Sequence, residues 1–588
     1  MSEPKICPYP GLRPFTEEES IFFKGRDEHI QQIVAQLEEK KFVMLTGASG
    51  DGKSSIVYAG VMPNARAGFF KAKFNNWVIA DFRPERSPLK SLVSSLAKQL
   101  ALDPEHVEKE LRCGFSALID LYKSSKYYLN TESEEYKNAD IKQQKLLKRK
   151  AANLFLLVDQ FEEFFTNKEN FNQGKASLDS QLVINLVLET AKIALEQDIP
   201  IYIICTMRSD YIGQCAAFRG LPEYIGFSQF FVPRLKRKEM YQVIQEPAEL
   251  SGCKISNRLT EILINELREG FDQLPVLQHA LHQIWEKADR GNEEMDLIHL
   301  AKLSGIPIKY LPDNDQVLFK TWYEKVIAEN DFLKEIIIRD FTTPSLENVL
   351  NTHANELYET AHLNCEKYSK NIKIEAVKAK QIIKTAFQCL TKIDASRAVR
   401  NRMTLEEITN IINNPDVSWE KVGIVLNIFR EQGNTFLSPF IQIENSDTQI
   451  LNKNTVLDIT HESLIRNWEL LNEWAKEEHE NWLNYLDFQK QMQRWVDNGK
   501  TKGFLLPIGS FTFFENWYKQ CKPNKYWLVK YDESVQGEKT KLKKAQETLD
   551  NANEFLRKSA WKHIVSRTIM RFGPNRIAAT IGLVFLFT

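Results

Sequence analysis

Residues 46–55 read TGASGDGKSS, and positions 47–54 fit G-x-x-x-x-G-K-S without a mismatch. The flanks agree with that fit. The apolar run FVMLT (42–46) comes before the loop and the helix-forming SSIVYAGVM after it. Strand, glycine loop and helix start in that order predict a phosphate cradle. Gly47, Gly50 and Gly52 let the loop curl, so that its backbone N–H groups face phosphate oxygens. Lys53 then reaches the β- and γ-phosphates, Ser54 ligates Mg²⁺, and Ser55 continues the helix whose N-terminal dipole completes the cradle.

The first 235 residues repeat this alternation. Further apolar runs stand at 77–82 (WVIADF), 154–159 (LFLLVD), 199–206 (IPIYIICT) and 230–232 (FFV), separated by amphipathic stretches. Near-continuous apolar runs between helices predict parallel strands covered on both faces, a doubly wound α/β domain. The polar stretch 126–150 reads as a solvated helical insertion. A metal-holding carboxylate belongs at the end of a neighbouring strand, where LFLLVDQFEEFF supplies Asp159. The place directly after it, suited to a water-polarising glutamate, holds Gln160, which leaves Glu162 and Glu163 as candidates. Thr206 and Arg208 leave the next strand on the same side as the phosphate loop. There Arg208 either senses a γ-phosphate through bidentate hydrogen bonds or pairs with Asp210 at the surface.

Other classes are excluded. Guanine specificity lacks its NKxD stretch, since 167–170 read NKEN, and there is no LSGGQ-like transporter signature. His279 and His282 stand three apart with nothing nearby to complete a metal shell. Eight scattered cysteines without a CxxC pair point to reduced thiols. A formal net charge of −1 gives no global pull towards nucleic acid.

After residue 235 strand signals fade. The expected organisation is a P-loop domain over 1–235, a helical domain over 236–330, and helical and winged-helix-like structure over 331–475. A C-terminal helical region covers 476–560. The winged-helix reading rests on two helical stretches, TLEEITNII and WEKVGIVLNIFREQG, followed by the strand-like FLSPFIQIE and TVLDITH. Its charge is balanced, so no basic recognition helix predicts nucleic-acid binding. Over 561–588 a basic stretch leads into IAATIGLVFLFT (577–588), read as the start of a membrane helix on the cytoplasmic side of an inner membrane. A buried terminal helix is the alternative.

In sequence order, these motifs resemble the STAND class of P-loop NTPases, and within it the novel STAND NTPase 1 family. The resemblance runs from CPYPGLRPFTEEESIFFKGRDEHI (7–30) through GASGDGKSSIVYAGVMP, LFLLVDQFEEFF, CTMRSDYIG and FVPRLKRKEMYQVIQEPA. It continues through QLPVLQHAL (273–281), TKIDASRAVRNRMTLEEI, VLDITHESLIRNWELLNEW (456–474) and ANEFLRKS. It implies a signalling switch, closed around ADP and opened by exchange for ATP into a homo-oligomer that engages a protein sensor or effector. Bacterial defence is a setting the resemblance suggests. By the same resemblance Gly25 and Arg26 lie by adenine and ribose, and Lys53, Ser54 and Asp159 take phosphates and Mg²⁺. Arg208 is the sensor arginine, Pro275 packs on the base, and His461 contacts the ADP β-phosphate. A constitutive ATPase motor and a nucleotide-stabilised scaffold are the alternatives.

Overall fold

In a computed structural model of the protein, the described residues are 5–172, 174–267, 272–303, 309, 311–329, 346–369, 372–394, 397–441, 451–532 and 537–572. They group into two compact units, 1–353 together with 461–463, and 354–460 together with 464–588.

The first unit is built on a five-stranded parallel sheet. Its strands are β1 (Phe42–Gly47), β2 (Asn76–Phe82), β3 (Ala152–Val158), β4 (Ile201–Arg208) and β5 (Gln229–Phe231). The order across the sheet is β2-β3-β4-β1-β5. The sheet carries a core on each face because side chains alternate along a strand. Met44, Ala80, Leu156 and Ile203 pack one way, with the helices Pro88–Leu100 and Leu178–Glu196. Val43, Ile79, Leu157 and Ile204 pack the other way, with Asp27–Lys40 and the helix that starts at Lys53. This is the doubly wound α/β arrangement expected from the apolar runs. The insertion forms exposed helices Glu134–Asn138 and Ile141–Lys150, the second opened by an Asp140–Gln143 capping box.

The second unit is largely helical. Its small antiparallel sheet places Val456–Ile459 between Met403–Thr404 and Leu437–Ser438. Thr404 and Glu407 form a capping box that starts the helix Leu405–Ile412, and Asn413 ends it in a left-handed conformation. The helix Trp419–Leu426 follows. Helices ahead of a strand pair form the winged-helix-like element read from the sequence. Trp468 is fully buried, its ring near Phe387, Phe429 and Trp474.

The membrane expectation is corrected. Among the described residues no helix is long and apolar enough to cross a membrane, and 577–588 lie outside the described residues. The helix ahead of them, Glu538–Phe572, carries charges along its length and instead packs a stripe of Ala545, Leu549, Ala552 and Phe555.

Candidate functional site

Four parallel strands end on one edge of the sheet, where α/β folds bind ligands. Register sets Gly47 opposite Arg208. Val158 stands between Phe82 and Cys205. The residues just beyond, Arg83, Asp159 and Thr206, therefore meet in a row.

The phosphate loop leaves β1 at Gly47. Gly50 and Gly52 have φ of +84° and +85°, a left-handed backbone that favours glycine. Gly50 is also closely approached: a Cβ there would lie 2.7 Å from the Cα of Asp272. Asp272 N donates to Ser49 O at 3.4 Å, so the N-terminus of the helix Gln273–Lys287 backs the loop. Asp51 accepts from Ala48 N at 2.5 Å and closes the loop on itself. Lys53 Nζ donates to Gly47 O at 3.1 Å and Ala48 O at 2.6 Å, lying over its own loop. Burial lowers the pKa of this lysine, against the opposing charges of Glu162 and Asp51.

Asp159 is the hub of the row and is fully buried. Its Oδ1 accepts from Ser54 Oγ at 2.8 Å and Thr206 Oγ1 at 2.7 Å. Its Oδ2 accepts from Arg83, at 3.0 Å from Nε and 2.9 Å from a terminal nitrogen. Burial alone would raise the Asp159 pKa. The Arg83 charge and the hydroxyl bonds outweigh it and hold the group below the usual carboxylate range. An ionised carboxylate beside a serine hydroxyl is an oxygen donor set suited to a hard divalent cation.

The two candidate glutamates part company. Glu162 is buried, accepts from Arg208 N at 3.3 Å, and has its pKa raised by burial against the charges of Lys53 and Arg208. Glu163 accepts from Glu85 N at 2.8 Å, on the loop after β2. Glu162 shares the electrostatic environment of the lysine and the arginine.

Arg208 donates to both carboxylate oxygens of Glu462 at 2.8 Å each, and to Asp210 at 2.7 Å. Burial would lower its pKa, but these carboxylates push it further up. Beside Glu462, His461 Nδ1 accepts from Ser463 N at 3.1 Å and lies 3.7 Å from Asp272 Oδ1. His461 thus comes to the residue that backs Gly50.

The remaining predicted residues have these places. Gly25 (φ +77°) lies under the helix Arg237–Leu250, where a Cβ would meet Glu239 O at 2.7 Å. Arg26 is buried and braces two backbone carbonyls, Pro233 O at 2.6 Å and Asp51 O at 3.0 Å. Ser55 Oγ accepts from Phe15 N at 3.1 Å and ties the N-terminal segment to the loop's helix. Pro275 is half-buried in the first turn of Gln273–Lys287. His279 and His282 are buried packing residues, and His282 Nδ1 lies 2.7 Å from Tyr9 O. Sequence reasoning passed over Arg83, Asp272 and Glu462. Arg83 follows an apolar run, Asp272 occupies a helix-capping position, and Glu462 neighbours a histidine already singled out.

A glycine loop opening a helix, with a buried acidic hub at the end of another strand of the same sheet, defines a P-loop nucleotide-binding site. The model of the family described as Novel STAND NTPase 1 matches residues 8–308 and 317–503. The chain belongs to that family. Among solved structures it is similar to the ORC2 protein of Aeropyrum pernix in ADPNP–ADP complexes. That match has 13% identity and a TM-score of 0.34, covering 77% of this chain and 95% of that one. It is also similar to Cdc6p of Pyrobaculum aerophilum, at 10% identity and a TM-score of 0.30, covering 77% and 94%. No curated protein matches the chain.

Proposed function

We propose that the protein is an adenine-nucleotide switch, held shut by ADP and opened by exchange for ATP. The observation that carries this reading is the occupation of Arg208. The arginine at the end of β4, opposite Gly47 of the phosphate loop, is engaged by both oxygens of Glu462. An arginine so engaged is committed away from a γ-phosphate. His461, next in sequence to Glu462, lies at Asp272 behind the loop. The segment 461–463 therefore brings a lock on the sensor and a histidine near the phosphates into one place.

In this reading Lys53 and the loop N–H groups bind the phosphates. Ser54 and Asp159 hold Mg²⁺, which neutralises phosphate charge when bound. Arg208 exchanges Glu462 for the γ-phosphate, and the population shifts to a form that assembles with further copies and signals to a partner protein. Glu162 polarises the attacking water, and slow hydrolysis resets the switch. A shift of this kind needs only a few kcal/mol of differential binding.

The test is to purify the chain, denature it and identify the released nucleotide by chromatography. Near-stoichiometric ADP that survives desalting is the expected result. An empty site with brisk, untriggered ATP turnover would replace the switch with a motor. Identical shape and oligomeric state with ADP and ATP would leave a scaffold.

A further inference from the structure

We propose that Arg83 competes with the phosphate-bound divalent cation for Asp159, and that this competition makes cation entry selective for the triphosphate. The inference rests on the nucleotide reading above and adds a specificity device to it.

Arg83 follows β2 directly, and its guanidinium makes two bonds to Asp159 Oδ2, at 3.0 and 2.9 Å. The other oxygen, Oδ1, takes Ser54 and Thr206. Four N–H and O–H donors thus converge on one buried carboxylate, close to its full acceptor capacity. A cation bound directly to Oδ2 would meet the like charge of the guanidinium within a few ångströms of low-dielectric surroundings. The two cations therefore exclude each other, and each weakens the other's hold by the same factor.

Arg83 is the partner able to yield. Its side chain is 31% exposed and that of Asp159 is 0%. The backbone beyond it is pinned, with Glu85 N bonded to Glu163 at 2.8 Å and Glu85 O to Asn167 at 2.6 Å. Displacement is thus a side-chain swing that leaves the strand end in place. A triphosphate chelates a divalent cation through more oxygens than a diphosphate does, so it meets the cost of displacing Arg83 more readily. With ADP, Arg83 keeps the carboxylate neutralised and the site needs no metal.

The test titrates Mn²⁺ into the full chain with ADP or a non-hydrolysable ATP analogue, reading free Mn²⁺ by electron paramagnetic resonance. Arg83→Gln should tighten Mn²⁺ in the ADP complex about tenfold, as losing a charge-assisted competitor implies, and change the ATP-analogue complex less. ADP affinity in EDTA should fall in Arg83→Gln, which leaves Asp159 without its neutralising charge, and saturating Mn²⁺ should restore it to within about twofold of the parent. Arg83→Lys, which keeps a single ammonium and the folded charge balance, should give a smaller shift in the same direction. Unchanged Mn²⁺ affinity in both variants overturns the competition. An ADP affinity that saturating Mn²⁺ does not restore overturns it too, because Arg83 would then be a phosphate ligand. A parent chain that binds no nucleotide overturns the underlying reading instead, a result visible before any variant is made.

Discussion

Replacing Glu462 by Gln keeps the shape of the side chain and removes the charge facing Arg208. The pair is largely buried, with side chains 14% and 10% exposed, and both carboxylate oxygens are bonded at 2.8 Å. Breaking a fully buried ion pair costs about 3–5 kcal/mol, and an exposed pair is worth about 1 kcal/mol or less. Here Asp210 still neutralises the arginine at 2.7 Å. The loss should therefore fall between those limits, at ~2 kcal/mol, or roughly thirtyfold in the closed–open equilibrium. ADP has no γ-phosphate, so its release reports on the lock alone, independent of any sensor contact. The assay is stopped-flow release of a fluorescent ADP analogue from the parent, Glu462→Gln, Arg208→Gln and the double variant. Each single change should speed release, and the cycle should return a coupling of ~2 kcal/mol. An off-rate within about twofold of the parent, with a coupling below ~0.3 kcal/mol, would show that the pair holds nothing shut.

Four further outcomes follow from the same geometry. Lys53→Ala should weaken nucleotide binding about a hundredfold by calorimetry, the scale of losing charge-assisted phosphate bonds, and unchanged affinity would take the loop out of the site. His461→Ala should release ADP faster, and an unaltered off-rate would remove the histidine from the switch. Gly50→Ala forces a side chain into a left-handed backbone, with its Cβ 2.7 Å from Asp272. Urea denaturation should show a loss of about 3 kcal/mol from strain and overpacking together. Glu162→Gln should abolish hydrolysis while raising the melting temperature at neutral pH. Burial raises the Glu162 pKa, so folding takes up protons there, and the parent's ionised carboxylate costs stability once pH rises past the unfolded value. The thermal advantage of the variant should therefore widen as pH rises above the unfolded carboxylate value of about 4.3 and close below it. A constant difference across that range would assign the effect to packing.

The strands were legible because parallel strands buried on both faces are continuous apolar runs. The runs at 42–46, 77–82 and 199–206 each overlap a strand within a residue or two at either end. The 154–159 run likewise finds its strand, Ala152–Val158. The phosphate loop was legible because its working parts are sequence neighbours, so spacing alone carries the geometry. What stayed hidden depends on which strand ends lie side by side. The order β2-β3-β4-β1-β5 is not written in any run, and it alone puts Arg83 beside Asp159, 76 positions away. Read in sequence, Arg83 is any polar residue ending a strand. Glu462, at the start of the helix Glu462–Asn467, lies 254 positions from Arg208, a contact that no spacing in the sequence announces.

Gln160 shows how a departure from pattern can be resolved by backbone geometry. The expected place for a glutamate holds Gln160, yet that residue works through its main chain. Its φ is +57° and its N–H donates to Thr206 Oγ1 at 3.0 Å. Thr206 in turn donates to Asp159. A left-handed residue held at that point reverses the chain just after the acidic hub, and Phe161 N then bonds back to Thr206 O at 2.8 Å. The turn carries Glu162 to the Arg208 backbone and sends Glu163 to the loop after β2.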